Sequence, residues 1–159
     1  MSSKLFGSNI SKLIKKSKVP VIAVPDNYRR TPIKKITYAS DFTNFDRELE
    51  QVTDFTDSLH AKVELLHFKV PLDYLMLADQ SEEIMKKLKA KGINYHFGNL
   101  NYEETLIDTI NKTFKQSKPS ILIMFTKQKR TIFEKLFLSS ISAEYSLISK
   151  VPLLVFKKD

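Results

Sequence analysis

Apolar and polar positions follow two different periods along most of the chain. Short apolar runs typical of buried strands occupy residues 35–39, 63–68, 93–97, 121–124 and 151–156. Between the first two runs, apolar residues recur at helical spacing, at Phe45, Leu49, Val52, Phe55 and Leu59. Strands that alternate with helices predict βαβ units, and therefore an α/β protein with a parallel, doubly wound sheet.

Several predicted helices have residues at their ends that commonly act as caps. Asn44 precedes the first long helix, and Gly92 follows the amphipathic stretch before the third strand, where it suits a C-terminal cap. Asn101 and Glu104 have the spacing of a capping box. Residues 9–17 form another short amphipathic pattern, followed by a strand-like run at residues 19–24.

One stretch of the chain occurs twice in pattern. Residues 150–155 resemble residues 18–24, both beginning Lys-Val-Pro, and residues 135–137 resemble residues 4–6. Gly7 and Ser8 fall opposite Ser139 and Ser140. A period of about 130 residues is too long for a solenoid and suits a whole domain.

This repeat predicts a division of the chain into three parts. Residues 1–25 are the terminal helix and strand of a preceding repeat, and residues 33–159 form one complete domain. Residues 26–32 lie between prolines and are otherwise polar, which indicates an extended, solvated linker.

Length and composition restrict the class of protein. The chain has 159 residues, enough for one domain of average size, and no cysteine, which excludes disulfides, thiolate metal ligands and a Cys nucleophile. No apolar run approaches the roughly 20 residues that cross a bilayer. Lysines interrupt the apolar residues at the start of the chain, so it does not read as a signal peptide, and we expect a cytoplasmic protein.

The net charge of +8 is concentrated near the start of the chain. Nine basic residues and one acidic residue, Asp26, lie at or before Lys35, and the remaining charges balance. Such a basic end is one alternative site for a nucleic acid or an anionic membrane surface. We favour neither partner, because no nucleic-acid-binding pattern accompanies the charge. The lysines suit the solvated face of a helix whose other face is apolar; these are Lys12, Lys15 and Lys16 opposite Ile10, Leu13 and Ile14.

The ordered set of runs resembles the universal stress protein family over essentially the whole chain. The similarity rests on residues 36–43 (ITYASDFT), residues 59–68 (LHAKVELLHF), the pair Phe97 and Gly98, and the closing Lys-Val-Pro strand. It implies a five-stranded parallel sheet in the order 3-2-1-4-5, of the flavodoxin-like, adenine-nucleotide-binding type. It also implies a stress-response binding or regulatory module that occurs singly or in tandem.

The ATP-binding branch of that family carries Gly-x2-Gly-x9-Gly-(Ser or Thr) after its fourth strand. Glycines are needed there because backbone N–H groups must closely approach phosphate oxygens beside a helix N-terminus. In this chain the three glycine positions hold Phe125, Gln128 and Leu138. If one residue is inserted, Ser139 and Ser140 take the place of the final Gly-(Ser or Thr) pair. We therefore expect no cofactor, and ATP or AMP is disfavoured.

Other parts of a nucleotide cleft remain in the sequence, so a nucleotide sensor stays an alternative. Asp41 matches the position where nucleotide-binding members place an aspartate beside adenosine, and it equally suits a turn before a helix. The basic loop after residue 126 offers side chains to a phosphate, although exposed loop charge is the simpler interpretation. The cleft candidates are Ala39, Ser40, Asp41, Phe68, Thr126, Lys127, Gln128, Lys129, Arg130, Ser139 and Ser140.

The sequence offers little support for catalysis or metal binding. His60, His67 and His96 lack the i, i+4 spacing or nearby carboxylates of a metal site. Ser139 and Ser140 have no Gly-x-Ser-x-Gly elbow. We therefore predict no metal and no enzymatic activity.

The resemblance also implies pairing through the last strand. The residues expected in that pairing are Val19, Val21, Ile22 and Val24 on one strand and Pro152, Leu153, Leu154, Val155 and Phe156 on the other. Either the N-terminal segment folds back on its own domain, or two chains form a homodimer. We favour the homodimer, because a lone helix and strand cover less apolar surface than a second subunit covers.

Overall fold

The computed structural model describes residues 8–69, 78–99, 106–126 and 150–157. These residues form four helices and six strands, in the order α1 (Ser8–Lys16), β1 (Val21–Ala23), β2 (Lys35–Ala39), α2 (Phe45–Asp57), β3 (Lys62–Lys69), α3 (Ala78–Ala90), β4 (Asn94–Asn99), α4 (Leu106–Ser117), β5 (Ile121–Thr126) and β6 (Leu153–Lys157). The predicted alternation of strands and helices is confirmed, and the bounds of β2 agree with the sequence pattern.

The strands form one mostly parallel sheet in the order β1-β6-β5-β2-β3-β4. Five of them are parallel to their neighbours, whereas β1 is antiparallel to β6. The sheet thus has six strands instead of the five predicted for the domain; numbered from β2, the five parallel strands lie in the order 3-2-1-4-5. The additional strand, β1, covers the edge of β6. Without β1, that edge would expose unpaired backbone groups beside apolar side chains.

One face of the sheet packs against α2 and α3. Alternate residues of the strands reach this face, and they form a continuous apolar core with the inner sides of the two helices. Its buried members are Ile36, Tyr38, Phe45, Leu49, Val52, Leu65, Ile84, Leu88, Ile93, Ile121, Ile123, Phe125, Leu154 and Phe156. Each buried aliphatic or aromatic side chain of this kind contributes about 1.5–3 kcal/mol, so this core is a main source of stability.

The opposite face carries a polar cluster that ties α4 to the sheet. Thr37 lies between two core residues of β2, so its side chain points away from α2. Its Oγ1 lies 3.2 Å from Ser117 Oγ, and Ser117 donates a hydrogen bond to Glu64. Lys35 completes the cluster with an ion pair of 2.9 Å to Glu64. The end of α4 is thus fixed against the amino ends of β2 and β3.

Two of the predicted helix caps lie in the described residues, and their outcomes differ. Gly92 has a φ of 66°, and Ile93 N–H donates to Leu88 at 2.9 Å, so the predicted C-terminal cap is confirmed as a Schellman motif. Asn44 is the N-cap residue of α2 as predicted, but its side chain makes no capping hydrogen bond. Its left-handed backbone (φ 59°) directs the chain into the helix instead. The predicted capping box at residues 101–104 lies outside the described residues.

The N-terminal segment folds back on the edge of the sheet of its own chain, one of the two arrangements considered, and its strand pairs with the last strand as predicted. Val21 is opposite Val155, and Ala23 is opposite Leu153. In α1, Ile14 is buried as predicted, whereas the prediction that Leu13 is buried is wrong, because 55% of its surface is exposed. Only a narrow side of this nine-residue helix faces the protein, and Leu13 is turned about 100° from Ile14.

None of the described helices is long and apolar enough to cross a membrane.

Candidate functional site

The candidate cleft lies where β2 and β5 end side by side. The chain moves from β2 through β3 to β4 on one side, and β5 and β6 lie on the other, so the strand order reverses between β2 and β5. In open α/β sheets, ligands bind beyond the carboxyl ends of strands at such a point. Ala39 ends β2, Ser40 and Asp41 follow it, and Thr126 ends β5.

Ser40 is buried and bound to its own protein on several sides. Its N–H donates to the Leu66 carbonyl at 3.1 Å, and its hydroxyl donates to Glu48 Oε2 at 2.7 Å. The same hydroxyl accepts the N–H of Phe42 at 3.0 Å. Its preceding neighbour Ala39 is also buried. These bonds fix the loop after β2 and leave the Ser40 side chain inside the protein.

Glu48 is the polar centre of this region, and 2% of its surface is exposed. Its Oε2 accepts hydrogen bonds from Tyr38 Oη at 2.6 Å and Ser40 Oγ at 2.7 Å. Burial raises the pKa of Tyr38 well above its usual value, and the nearby Glu48 carboxylate raises it further. Tyr38 therefore remains a neutral donor to a buried carboxylate.

Sequence reasoning did not identify Glu48. The signal was present, since Glu48 lies three residues after Phe45 and four before Val52 and so belongs to the buried side of α2. A carboxylate in an apolar helical stripe requires buried donors, and Tyr38 and Ser40 supply them.

Asp41 forms a turn at the mouth of the cleft. Its Oδ1 accepts the N–H of Thr43 at 3.0 Å, and the residue is half-buried. The next residue, Phe42, has a φ of 62°, an unusual conformation for a bulky side chain. Asp41 was considered both as a nucleoside contact and as a turn residue. The bond from Thr43 is the contact that a turn residue makes.

Aromatic contacts hold that strained residue in place. The Phe42 ring stacks on His67 with a centroid distance of 4.0 Å, and it meets Phe45 and Phe97 edge to face. His67 is buried, and its Nδ1 lies 2.9 Å from the Ser40 carbonyl oxygen. A carbonyl oxygen only accepts, so Nδ1 carries a proton. His67 thus supports the loop after β2.

The other two histidines lie elsewhere. His60 is in the turn after α2, with its Nδ1 3.3 Å from the Ser58 carbonyl oxygen. His96 is opposite Leu66 in the β3–β4 pair, whereas His67 is opposite Phe97, so the two side chains leave opposite faces of the sheet. Within the described residues, no group of three His, Cys, Asp or Glu side chains is placed to hold a metal ion.

Phe125, at the first glycine position of the ATP motif, has its side chain in the core. Its surface is 6% exposed, its ring meets Tyr38 edge to face at 5.8 Å, and it stacks on Phe156 at 5.4 Å. Thr126, the next residue, is half-buried. The end of β5 is therefore anchored by a large ring.

Other cleft candidates are described incompletely or not at all. The backbone of Phe68 is opposite Gly98 in the β3–β4 pair, and its side chain lies outside the described residues. The remaining cleft candidates lie outside the described residues, as does Leu138 of the ATP motif; these candidates are Lys127, Gln128, Lys129, Arg130, Ser139 and Ser140.

A mostly parallel sheet with a polar loop at its switch point defines a flavodoxin-like α/β protein. Neither a family model nor a curated protein matches the sequence. Solved structures do match. A universal stress protein from Archaeoglobus fulgidus DSM 4304 matches with a TM-score of 0.64 and 19% sequence identity. The match covers 99% of this chain and 58% of the Archaeoglobus chain.

Two further structures have similar folds. A functionally unknown protein from Pseudomonas aeruginosa PAO1 has a TM-score of 0.64 and 14% identity, over 98% of this chain and 59% of its own. A universal stress protein in complex with cAMP has a TM-score of 0.51 and 14% identity, over 81% of this chain and 100% of its own. This chain thus has the fold of universal stress proteins, and it spans less than two thirds of the first two proteins.

Proposed function

We propose that this chain contains a universal stress protein domain that acts as a binding or regulatory module in a stress response, without binding ATP through a glycine-rich loop. The shared fold and the sequence runs quoted above support the family. The core position of the Phe125 ring is the observation that carries the proposal against ATP.

The chemistry of phosphate binding explains why Phe125 matters. Backbone N–H groups reach phosphate oxygens most easily where glycine allows close approach and positive φ. A phenylalanine whose ring is fixed against Tyr38 and Phe156 cannot give the end of β5 that freedom. On the β2 side of the cleft, Ser40 is already engaged with Glu48.

A nucleotide sensor is the second candidate, because two observations favour it. Asp41 is half-buried at the carboxyl end of a central strand, beside the switch point. One protein of similar fold was solved in complex with cAMP. In this candidate, Asp41 contacts the nucleoside while basic side chains after β5 hold the phosphate.

Thermal unfolding with millimolar ATP and Mg²⁺ distinguishes the two candidates. A ligand at 100 times its dissociation constant adds about 2.7 kcal/mol of stability, which raises the midpoint by about 5–10 °C in a domain of this size. We expect no such shift. If ATP does raise the midpoint, and Asp41→Ala abolishes the effect while the exposed control Asp54→Ala does not, the sensor replaces the first candidate.

The N-terminal segment is proposed to be the tail of a preceding repeat. The two longer structures cover 99% and 98% of this chain but only 58% and 59% of their own chains, which supports an origin in a longer protein. Residues 26–32 then form the linker, and residues 33–159 the complete domain.

We also propose a homodimer at the edge formed by β1. Val19, Ile22 and Val24 are exposed there, and β1 is the last strand of the described sheet on that side. A second copy would cover this apolar edge. Light scattering should give a dimer that Ile22→Lys dissociates and that Tyr95→Lys, at the opposite edge, leaves intact. A monomeric mass for the unaltered chain would contradict this proposal.

A further inference from the structure

A second concave region lies at the other end of the sheet. It is a cavity of about 460 Å³ between the linker and the amino ends of β5 and β6. Tyr28, Arg29 and Thr31 line it from the linker, and Pro119, Ser120 and Lys150 line it from the domain. We call this region the linker cavity. Its volume is in the range of pockets that bind small molecules.

Hydrogen bonds join Ser120, in one wall of the linker cavity, to the residues that directly follow the linker. Ser120 Oγ accepts the N–H of Lys34 at 3.1 Å, and Ser120 N–H donates to the Lys35 carbonyl at 2.7 Å. Within the linker, Tyr28 N–H donates to the Pro25 carbonyl at 3.0 Å and closes a turn. The chain is therefore fixed beside the start of β5 directly after the linker, which limits the freedom of the linker, so less ordering entropy is lost when a ligand binds.

The charge of the linker cavity is positive. Arg29 and Lys150 both line it, although they are far apart in sequence, and none of the described residues that line it is acidic. Asp26, the only acid among the first 35 residues, is not among them. Two cations at one cavity attract an anion. One of these cations, Arg29, belongs to the basic N-terminal part of the chain.

The remaining lining provides hydrogen-bond donors and an apolar surface. Tyr28, Thr31 and Ser120 carry hydroxyl groups, whereas Pro119 is buried and the Tyr28 ring is half-buried. An arginine guanidinium presents paired N–H donors that suit the oxygens of a phosphate, and a phosphate monoester carries nearly two negative charges at neutral pH. A phosphate group with an apolar or aromatic substituent therefore matches both the charge and the surface.

We propose that the linker cavity binds a small phosphate monoester, with its phosphate between Arg29 and Lys150 and its apolar part against Tyr28 and Pro119. This site is at the opposite end of the sheet from Ser40 and Asp41, so it does not depend on whether the cleft binds a nucleotide.

Phenyl phosphate is a suitable probe, because it combines the phosphate with one aromatic ring. Titration of the full chain, followed by isothermal calorimetry or by shifts of backbone amide resonances, should show saturable binding. Inorganic phosphate and phenol should each bind more weakly, since each lacks one part of the probe. Loss of hydrogen bonds to a charged group in the double variant Arg29→Gln/Lys150→Gln should weaken binding at least about tenfold.

The matched control is Arg30→Gln/Lys157→Gln, which removes the same charge from exposed residues outside the described lining. We expect it to retain affinity within about twofold, because charges that do not contact the ligand act weakly through salt solution. Thermal unfolding establishes that each variant is folded. Equal loss in the two double variants, equal binding of phenol and phenyl phosphate, or no saturable binding by the unaltered chain would overturn the proposal.

Discussion

Two polar regions, one at each end of the sheet, use their side chains in opposite ways. At the carboxyl end, Tyr38 and Ser40 donate to a buried Glu48, and the loop after β2 is held by their contacts. At the amino end, Arg29 and Lys150 line an open cavity without an acidic residue in its described lining. Polar groups that bond to one another stabilise a fold, whereas like charges at a cavity favour an anion from outside. Among the described residues, the loop after β2 is therefore more fully bonded to its own protein than the lining of the linker cavity is.

Replacing Glu48 with alanine should produce the largest loss of stability. The change leaves the buried hydroxyls of Tyr38 and Ser40 without their shared acceptor, so the free energy of unfolding should fall by about 3 kcal/mol. Urea denaturation measures this loss. The control Glu50→Ala removes an exposed carboxylate from the same helix and should change the free energy by less than about 0.5 kcal/mol. Similar losses in both variants would show that the carboxyl end does not depend on this buried network.

Tyr38→Phe should have a smaller effect, with a distinctive pH dependence. It removes one donor to a carboxylate, so we expect a loss of about 2 kcal/mol at neutral pH. The pKa of Tyr38 is raised in the folded state, while an unfolded tyrosine titrates near pH 10. The resulting stability is therefore fully present below about pH 10 and is lost as pH rises through the higher folded pKa.

Denaturation midpoints measured between neutral pH and pH 11 test whether this stability is lost as the pH rises. The unaltered protein should lose stability more steeply above about pH 10 than Tyr38→Phe does. Tyr95→Phe, which alters an exposed tyrosine of β4, should keep the steeper dependence. Parallel curves for the unaltered protein and Tyr38→Phe would contradict the environment assigned to this phenol.

Ser120→Ala should have the smallest effect, confined to the amino end. The Lys34 N–H loses its acceptor, so we expect a loss of about 1 kcal/mol and faster hydrogen exchange at the Lys34 amide. Ser58→Ala, at the exposed end of α2, serves as the control. Unchanged exchange at Lys34 would show that this bond does not hold the chain beside the linker.

The sequence predicted the framework of the fold better than its polar sites. Periodicity was sufficient to place β2 at its observed bounds, and the backbone freedom of glycine was sufficient to identify the cap at Gly92. Periodicity does not distinguish a buried side from a partly covered one, so it gave the wrong burial for Leu13. Likewise, Asn44 is a favourable cap residue whose left-handed backbone could not be predicted from composition alone.

The polar sites depend on contacts between distant parts of the chain. Glu48 was missed because helical patterns treat a carboxylate as solvated, while its burial depends on hydroxyls supplied by β2. The linker cavity was missed because Arg29 and Lys150 come together only after the linker crosses the start of β5. Local propensity carries no information about which distant residues come close in the folded chain.

The antiparallel pairing of β1 with β6 has a consequence for the order of folding. It joins Val21 to Val155, whereas the parallel β2–β3 pair joins Lys35 to Lys62. Contacts between distant residues close longer loops, at a greater cost in chain entropy, and they tend to form after local ones. We therefore expect the parallel strands to assemble first and β1 to dock late. By the same reasoning, we expect the N-terminal helix and strand to open as a separate unit while the remaining sheet stays folded.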